Sequence, residues 1–227
     1  MAEYRPISDV TADVYESYLE TGYFRQGMCF YQPVCITCLE CIAIRINVAL
    51  CQPTKSQRRL WRSNSDLRVE VAKPTYSDEK FSLYQRYHAA RWGWSTDEQE
   101  RFMQHMLRDW GGAWEFSYWE GDRLLALGIV DETPAAANSR YFIYEVEGTR
   151  SRGLGIYSLM HELEWCRQRN KSHLYLGMYV ARASSMDYKV SFRPFELRMR
   201  EGVWRLYADK KEALADEKVR LMAYGSL

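Results

Sequence analysis

The 227-residue chain lacks any run of 18 apolar residues, so no membrane-spanning helix is predicted. Its start, MAEYRPISDV, has no basic stretch leading into an apolar one, which argues against a secretory leader and predicts a soluble, cytoplasmic protein. Charge imbalance is missing too. With 31 Lys and Arg against 30 Asp and Glu the net charge is +1, so a polyanion must be held by a local patch and not by the field of the whole molecule. Six cysteines in a chain this long do not make a disulfide framework. What the chain has in quantity is aromatic: 17 Tyr and 8 Trp, which suit amphipathic pockets and equally fill cores.

The most informative stretch is 141–193. Tyr141 to Glu147 alternate as a strand, Gly148 and Thr149 turn the chain, Ile156 to Arg169 carry a helical period, and His173 to Val180 read as a second strand. A strand, a crossover helix and a strand predict two parallel neighbours in one sheet. At the strand-to-helix junction stand Arg150, Arg152, Gly153, Leu154 and Gly155. Two glycines and two arginines at a helix N-terminus suit an anion or a polar acyl donor, because the first N–H groups have no partner in the helix. The same residues also fit a tight turn with solvated arginines.

Before that unit, Ser8 to Glu20 and Asp78 to Arg91 have helical spacing, and residues 42–50 and Leu67 to Val71 alternate as strands. A further helix is expected from the capping box Ser95-Thr96-Asp97-Glu98 through to Trp110. Residues 113–130 form a hairpin turning at Glu120-Gly121-Asp122, with Asp131 at its end as a turn cap or as a carboxylate facing a cleft. Residues 208–222 read as a mostly polar terminal helix or a frayed appendage. The expected organisation is an N-terminal region, 1–75, a main domain, 76–205, and a C-terminal appendage, 206–227.

Two local patterns carry chemistry. Cys35, Cys38 and Cys41 form C-x2-C-x2-C after Pro33, a spacing that lets thiolates share zinc or an iron–sulfur cluster, although no fourth ligand is clearly supplied and packed, reduced thiols fit as well. Lys55, Arg58, Arg59 and Arg62 cluster around Trp61, either as contacts to a phosphate backbone or as a solvated helix face.

The motif Arg150-x-x-Gly153-x-Gly155 resembles the acyl-CoA loop of the GCN5-related N-acetyltransferase superfamily. A wider resemblance covers nearly the whole chain. Tyr31-x-Pro33-x-Cys35-x-x-Cys38-x-x-Cys41 with Arg45, Ser56-Gln57-x-Arg59, Leu83-Tyr84-x-x-Tyr87 with Arg91, and Leu124-Leu125 with Asp131 are similar to blocks of the aminoacyl-tRNA-protein transferases. So are Tyr141, Leu154-Gly155, Tyr175-Leu176-Gly177, Met186-x-Tyr188-Lys189 and Phe192-Arg193-Pro194. The resemblance is to the bacterial leucyl branch and the related arginyl enzymes. It implies an α+β fold of the acetyltransferase type, a mixed sheet flanked by helices and preceded by a small cysteine-containing region.

It also implies transfer of an amino acid, leucine or arginine, from aminoacyl-tRNA to the N-terminal amine of a protein or peptide, typically one that begins with an acidic residue. Such transfer marks the acceptor for degradation. On that resemblance Asp131, Glu145, Tyr141 and Tyr188 are the candidates for the reacting centre. Arg150, Arg152, Gly153, Leu154, Gly155 and the basic 55–62 segment are the candidates for the aminoacyl-tRNA, and Tyr31, Arg45, Tyr175, Lys189 and Arg193 for the acceptor. No cofactor is required by the chemistry, since an aminoacyl ester is already activated. The family's Arg-His, Phe-x-Asp-Pro and Tyr-Leu-Gly-Tyr stand here as Arg91-Trp92, Ile143-Tyr144-Glu145-Val146 and a block ending in Met178. These changes admit a different donor, or an acceptor that is a small peptide or metabolite. An acyl-CoA-dependent N-acyltransferase and a non-catalytic tRNA- or peptide-binding module remain as further readings.

Overall fold

The computed structural model describes residues 1–6, 10–35, 38–93, 99–216 and 219. The strands are β1 (Ala2–Pro6), β2 (Phe24–Gln26), β3 (Cys29–Pro33), β4 (Ile42–Asn47), β5 (Arg68–Ala72), β6 (Ala113–Glu120), β7 (Arg123–Glu132), β8 (Ala136–Tyr144), β9 (His173–Tyr179), β10 (Phe195–Arg198) and β11 (Trp204–Tyr207). The helices are α1 (Ala12–Glu20), α2 (Lys55–Ser63), α3 (Asp78–Trp92), α4 (Gln99–Phe102), α5 (Leu154–Gln168) and α6 (Lys210–Ala215). Eight strands form one sheet in the order β11-β10-β4-β9-β8-β7-β6-β5, and β1-β3-β2 form a small second sheet. Only the β8–β9 pair of the large sheet is parallel.

β7 reads RLLALGIVDE and is buried from Leu124 to Asp131, as expected of a central strand covered on both faces. One face packs against α5 through Leu154, Tyr157, Leu163 and Trp165, with α2 beside it. The other packs against α3 and α4 through Leu83, Tyr84 and Phe102. α1 and the small sheet close a third cluster around Tyr15, Leu19 and Phe30. α2 begins with a reciprocal cap: Thr54 Oγ1 accepts from Gln57 N at 3.2 Å and Gln57 Oε1 accepts from Thr54 N at 2.8 Å. Such a cap stabilises a helix by about 1 kcal/mol.

The predicted crossover unit is present, with β8 beginning earlier than the alternation suggested. Small Ala136 and Ala137 are buried and pair with His173 and Leu174, so tertiary contact extends the strand beyond its apolar pattern. The hairpin turns at Gly121-Asp122, with Gly121 at φ +58°. The α1 expectation holds from Ala12, capped by Thr11; its start at Ser8 lies outside the described residues. The 95–98 capping box lies outside them too, and the helical stretch after it ends at Leu107, short of Trp110. At the C-terminus α6 spans Lys210–Ala215, and most of the expected helix beyond it is likewise undescribed. β4 and β5 belong to the same sheet as the strands after residue 76, and β11 spans position 205, so neither expected boundary interrupts the hydrogen-bonded sheet.

β8 and β9 pair only at Ala136–His173, Ala137–Leu174 and Asn138–Tyr175. Beyond that point they part. β8 carries an extra residue, Arg140, between the pairs Val130–Ser139 and Ile129–Tyr141, a bulge that bends the strand where it leaves its neighbour. β9 is irregular across from it, with a register shift against β4 and Gly177 at φ +74°. The fork therefore has a local cause on each side.

Candidate active site where two parallel strands part

Past Asn138 the β8 edge that faced β9 has no ladder partner among the described residues, which leaves main-chain polar groups for a ligand. The N-terminus of α5 lies against this edge: a Cβ at Gly155 would stand 3.9 Å from Phe142 Cε1. α5 has no side-chain cap, so its first-turn N–H groups remain available to an anion or an acyl oxygen. Gly153 is needed twice over. Its φ is +57°, and a Cβ there would meet Leu60 Cδ1 at 3.0 Å, so the glycine lets α2 pack against the loop. Arg150 is exposed beside it.

Several predicted residues do reach the fork. Tyr141 Oη donates to His88 Nε2 at 3.0 Å, a direction set by His88 Nδ1, which donates to the Tyr84 carbonyl at 2.8 Å. Burial raises the Tyr141 phenol and lowers the His88 imidazole. On the β9 side, Lys189 Nζ donates to the Met178 carbonyl at 2.6 Å and lies 4.0 Å from a Cβ placed on Gly177. Desolvation lowers its ammonium to about 8. Tyr188 keeps 40% of its surface exposed, with its phenol pushed up to about 12 by desolvation and then by Glu162. Aromatic rings continue the wall: Tyr144 packs on Phe142 at 5.8 Å and on Tyr87 at 5.4 Å.

Others are committed elsewhere. Asp131 is fully buried, and its carboxylate accepts from Arg25 Nη1 at 2.9 and 3.0 Å and from Tyr15 Oη at 2.6 Å, with Arg140 Nε at 3.2 Å. It faces no cleft, because the β8 bulge turns Arg140 onto it. Glu145 is held by Arg86 Nε at 2.8 Å, with Arg123 at 3.7 Å. Arg45 bonds Glu196, Glu20 at 2.6 Å and Tyr175 Oη at 2.9 Å and stacks on Trp204, so Arg45 and Tyr175 tie β4, β9, β10 and α1 together. Arg152 bonds Asp66 at 2.9 Å and also Glu120, pinning the loop to the chain after α2 and to the β6 end. Tyr31 lies in β3 against Phe24, and Arg193 is exposed.

Lys55, Arg58, Arg59 and Arg62 are all exposed on α2, while Trp61 turns inward and stacks on His161 at 4.2 Å. The basic face is real, but Trp61 is not its stacking surface. At the cysteines, the Met1 amine donates to Cys35 Sγ at 3.1 Å, and burial, then Cys38 and Cys35, raise the Cys41 thiol. Among the described residues no group of three His, Cys, Asp or Glu converges as a metal site. No chemical step is derived through one.

Sequence reasoning missed Glu162, Ser139 and Arg25. Glu162 had a signal: it shares the buried face of α5 with Ser158 and Cys166 at intervals of four, an acid within an apolar stripe.

Parted parallel strands, a bulge at the fork and a glycine-led crossover helix are the arrangement of the GCN5-related N-acetyltransferase fold. The C-terminal domain described as that of a lysylphosphatidylglycerol synthetase from Agrobacterium fabrum shares it, with a TM-score of 0.52 and 13% identity, covering 83% of this chain and 66% of that one. The family model for arginine-tRNA-protein transferase matches at residues 2–59 with its N-terminal part and at 79–199 with its C-terminal part. The aspartate/glutamate leucyltransferase of Hahella chejuensis is 30% identical over 202 residues, covering 86% of this chain and 85% of its own. That of Polynucleobacter asymbioticus is 32% identical over 196 residues, covering 82% and 79%. The chain belongs to the arginine-tRNA-protein transferase family. It is an aminoacyltransferase, and its family takes aminoacyl-tRNA and a protein as substrates.

Proposed function

We propose that the enzyme moves leucine from leucyl-tRNA to the N-terminal amine of a protein beginning with Asp or Glu. The observation that carries the reading is the fork itself, where an unpaired β8 edge and the uncapped α5 N-terminus meet the aromatic wall of Tyr87, Phe142, Tyr144 and Tyr188. An apolar aminoacyl side chain suits that wall. Glu145, a buried acid beside it, is already paired with Arg86. The names of the relatives support leucine as donor.

The chemistry asks for orientation, an oxyanion site and a proton acceptor. The N–H groups at Leu154 and Gly155 hold the ester end of the tRNA, and the exposed α2 arginines hold its acceptor stem. Lys189, whose ammonium donates to the main-chain carbonyl of Met178, is the cation for the acidic side chain of the acceptor, with exposed Arg193 further out. No metal is assigned a role. No helix among the described residues is long and apolar enough to cross a membrane, and charged tRNA places the reaction in the cytoplasm. The test is a panel of charged tRNAs, with acetyl-CoA as a further donor, against peptides differing in their first residue. Transfer from leucyl-tRNA to Asp- and Glu-initiated peptides is expected; transfer from another donor alone overturns the assignment.

A further inference from the structure

Glu162 has no part in the site described so far. It is 1% exposed, on the face of α5 that meets the sheet. Its Oε1 accepts from Ser158 Oγ at 2.9 Å, and Tyr118 Oη on β6 donates to the same Ser158 Oγ at 3.0 Å. Ser139 on β8 lies near enough to hydrogen-bond it and draw its pKa down, yet Oε2 has no partner of ordinary geometry. The titratable groups it acts on are Tyr118 of β6, Cys166 of α5 and Tyr188 of the segment after β9; β7 presents Gly128. Among the described residues no lysine or arginine contributes to its acidity. A buried acid without a cation is held mainly by its neutral form.

Ser139 is half-buried and follows Asn138, the last β8 residue paired with β9, directly before the bulged Arg140. It thus stands at the apex of the fork with Glu162 behind it. The geometry points to a proton relay in which Ser139 Oγ takes the proton of the attacking amine and hands its own to Glu162. The amine lone pair forms the N–C bond to the ester carbonyl, whose electrons move to oxygen. When the intermediate collapses, the bond from carbon to the ribose oxygen breaks, and that oxygen leaves with the electron pair and takes the proton back along Ser139. The proton passes from amine to ribose hydroxyl, and no other reactant is consumed. Burial raises Glu162 to about 7, so the acceptor is poised near neutrality. Ser139 touches the reacting nitrogen; Glu162 acts through it.

The relay rests on the aminoacyl-transfer reading, so its test separates the two. The measurement is kcat/KM for an Asp-initiated peptide with leucyl-tRNA from pH 5.5 to 8, in wild type, Glu162→Gln and Ser139→Ala. Below pH 7 the wild type should show a log–log slope of two, because the amine and Glu162 must both lose a proton. Either variant should fall by about a hundredfold or more at pH 7.5 and show a slope of one. Leucyl-tRNA binding should be unchanged. An infrared carboxylic C=O band titrating near pH 7 should be present in wild type and missing from Glu162→Gln, a readout that needs no substrate. Wild-type rates and a slope of two in both variants, or no such band, overturn the relay while the transfer reading stands. Failure of wild type to transfer from any charged tRNA overturns both.

Discussion

Replacing Asp131 by Asn decides whether that residue is an anchor or a base. The two guanidiniums on it are 1% and 2% exposed at the side chain, and the carboxylate is wholly buried. Asparagine keeps the shape but leaves two buried cations facing a neutral amide. Removing one partner of a buried pair costs ~3–5 kcal/mol, a large part of a domain's ~5–15 kcal/mol. The assay is urea unfolding followed by circular dichroism, with the midpoint compared at constant m. Tyr15→Phe, which removes the 2.6 Å bond to the same oxygen and a partner of Asn138, should cost about 1.5–3 kcal/mol. The double variant should lose less than the sum, since both act on one network. Folded Asp131→Asn should still transfer. A variant within 1 kcal/mol of wild type that has lost transfer refutes this reasoning and restores Asp131 as the proton acceptor that the sequence allowed.

Lys189→Met should stabilise the fold and impair function. The free ammonium titrates at 10.5 and the folded one at about 8, so between those values the unfolded chain binds the extra proton and wild-type stability rises with pH; below 8 the cost of burial is present in full. At pH 7 the variant should gain up to about 3 kcal/mol, the gain closing by pH 10.5, and KM for acidic N-termini should rise; an unchanged urea midpoint contradicts the burial argument. Gly153→Ala should lose about 1–2 kcal/mol from its left-handed backbone, with more from displaced Leu60, read by thermal unfolding. Charge reversal at Arg58 and Arg59 should weaken charged-tRNA binding and reduce the salt slope by about one per lost phosphate contact; unaltered slopes place the acceptor stem elsewhere.

What could be read without coordinates was what local period and chain order determine. The β8–α5–β9 unit, its glycine junction and the two-residue hairpin are set by residues close in sequence, and they were legible. The small sheet was not, because β3 pairs on one side with β1, across more than twenty residues of unlike structure, and on the other with β2. The bulge at Arg140 that opens the fork is a matter of register and leaves no compositional trace. Residue type alone also cannot say whether a charge is free. Arg45 and Glu196 are 151 positions apart, and Arg25 and Asp131 are 106 apart. Motif blocks therefore mixed side chains that hold the sheet together with side chains that face the fork.

Two buried acids in this chain show how that distinction can be made physically. Asp131 has two guanidiniums and a phenol aimed at it, so its carboxylate oxygens are engaged inside the fold and face no reacting amine. Glu162 has two serines, one unpartnered oxygen and, among the described residues, no cation, so burial favours its neutral form and nothing holds its charge in place. The first was singled out by position in a family pattern, the second only by its place on a helix face that should have been apolar. An acid on such a face must be neutralised, paired or used. No cation pairs with Glu162 among the described residues, and its neighbour Ser139 stands where β8 and β9 part. That leaves protonation coupled to chemistry as the role its surroundings permit.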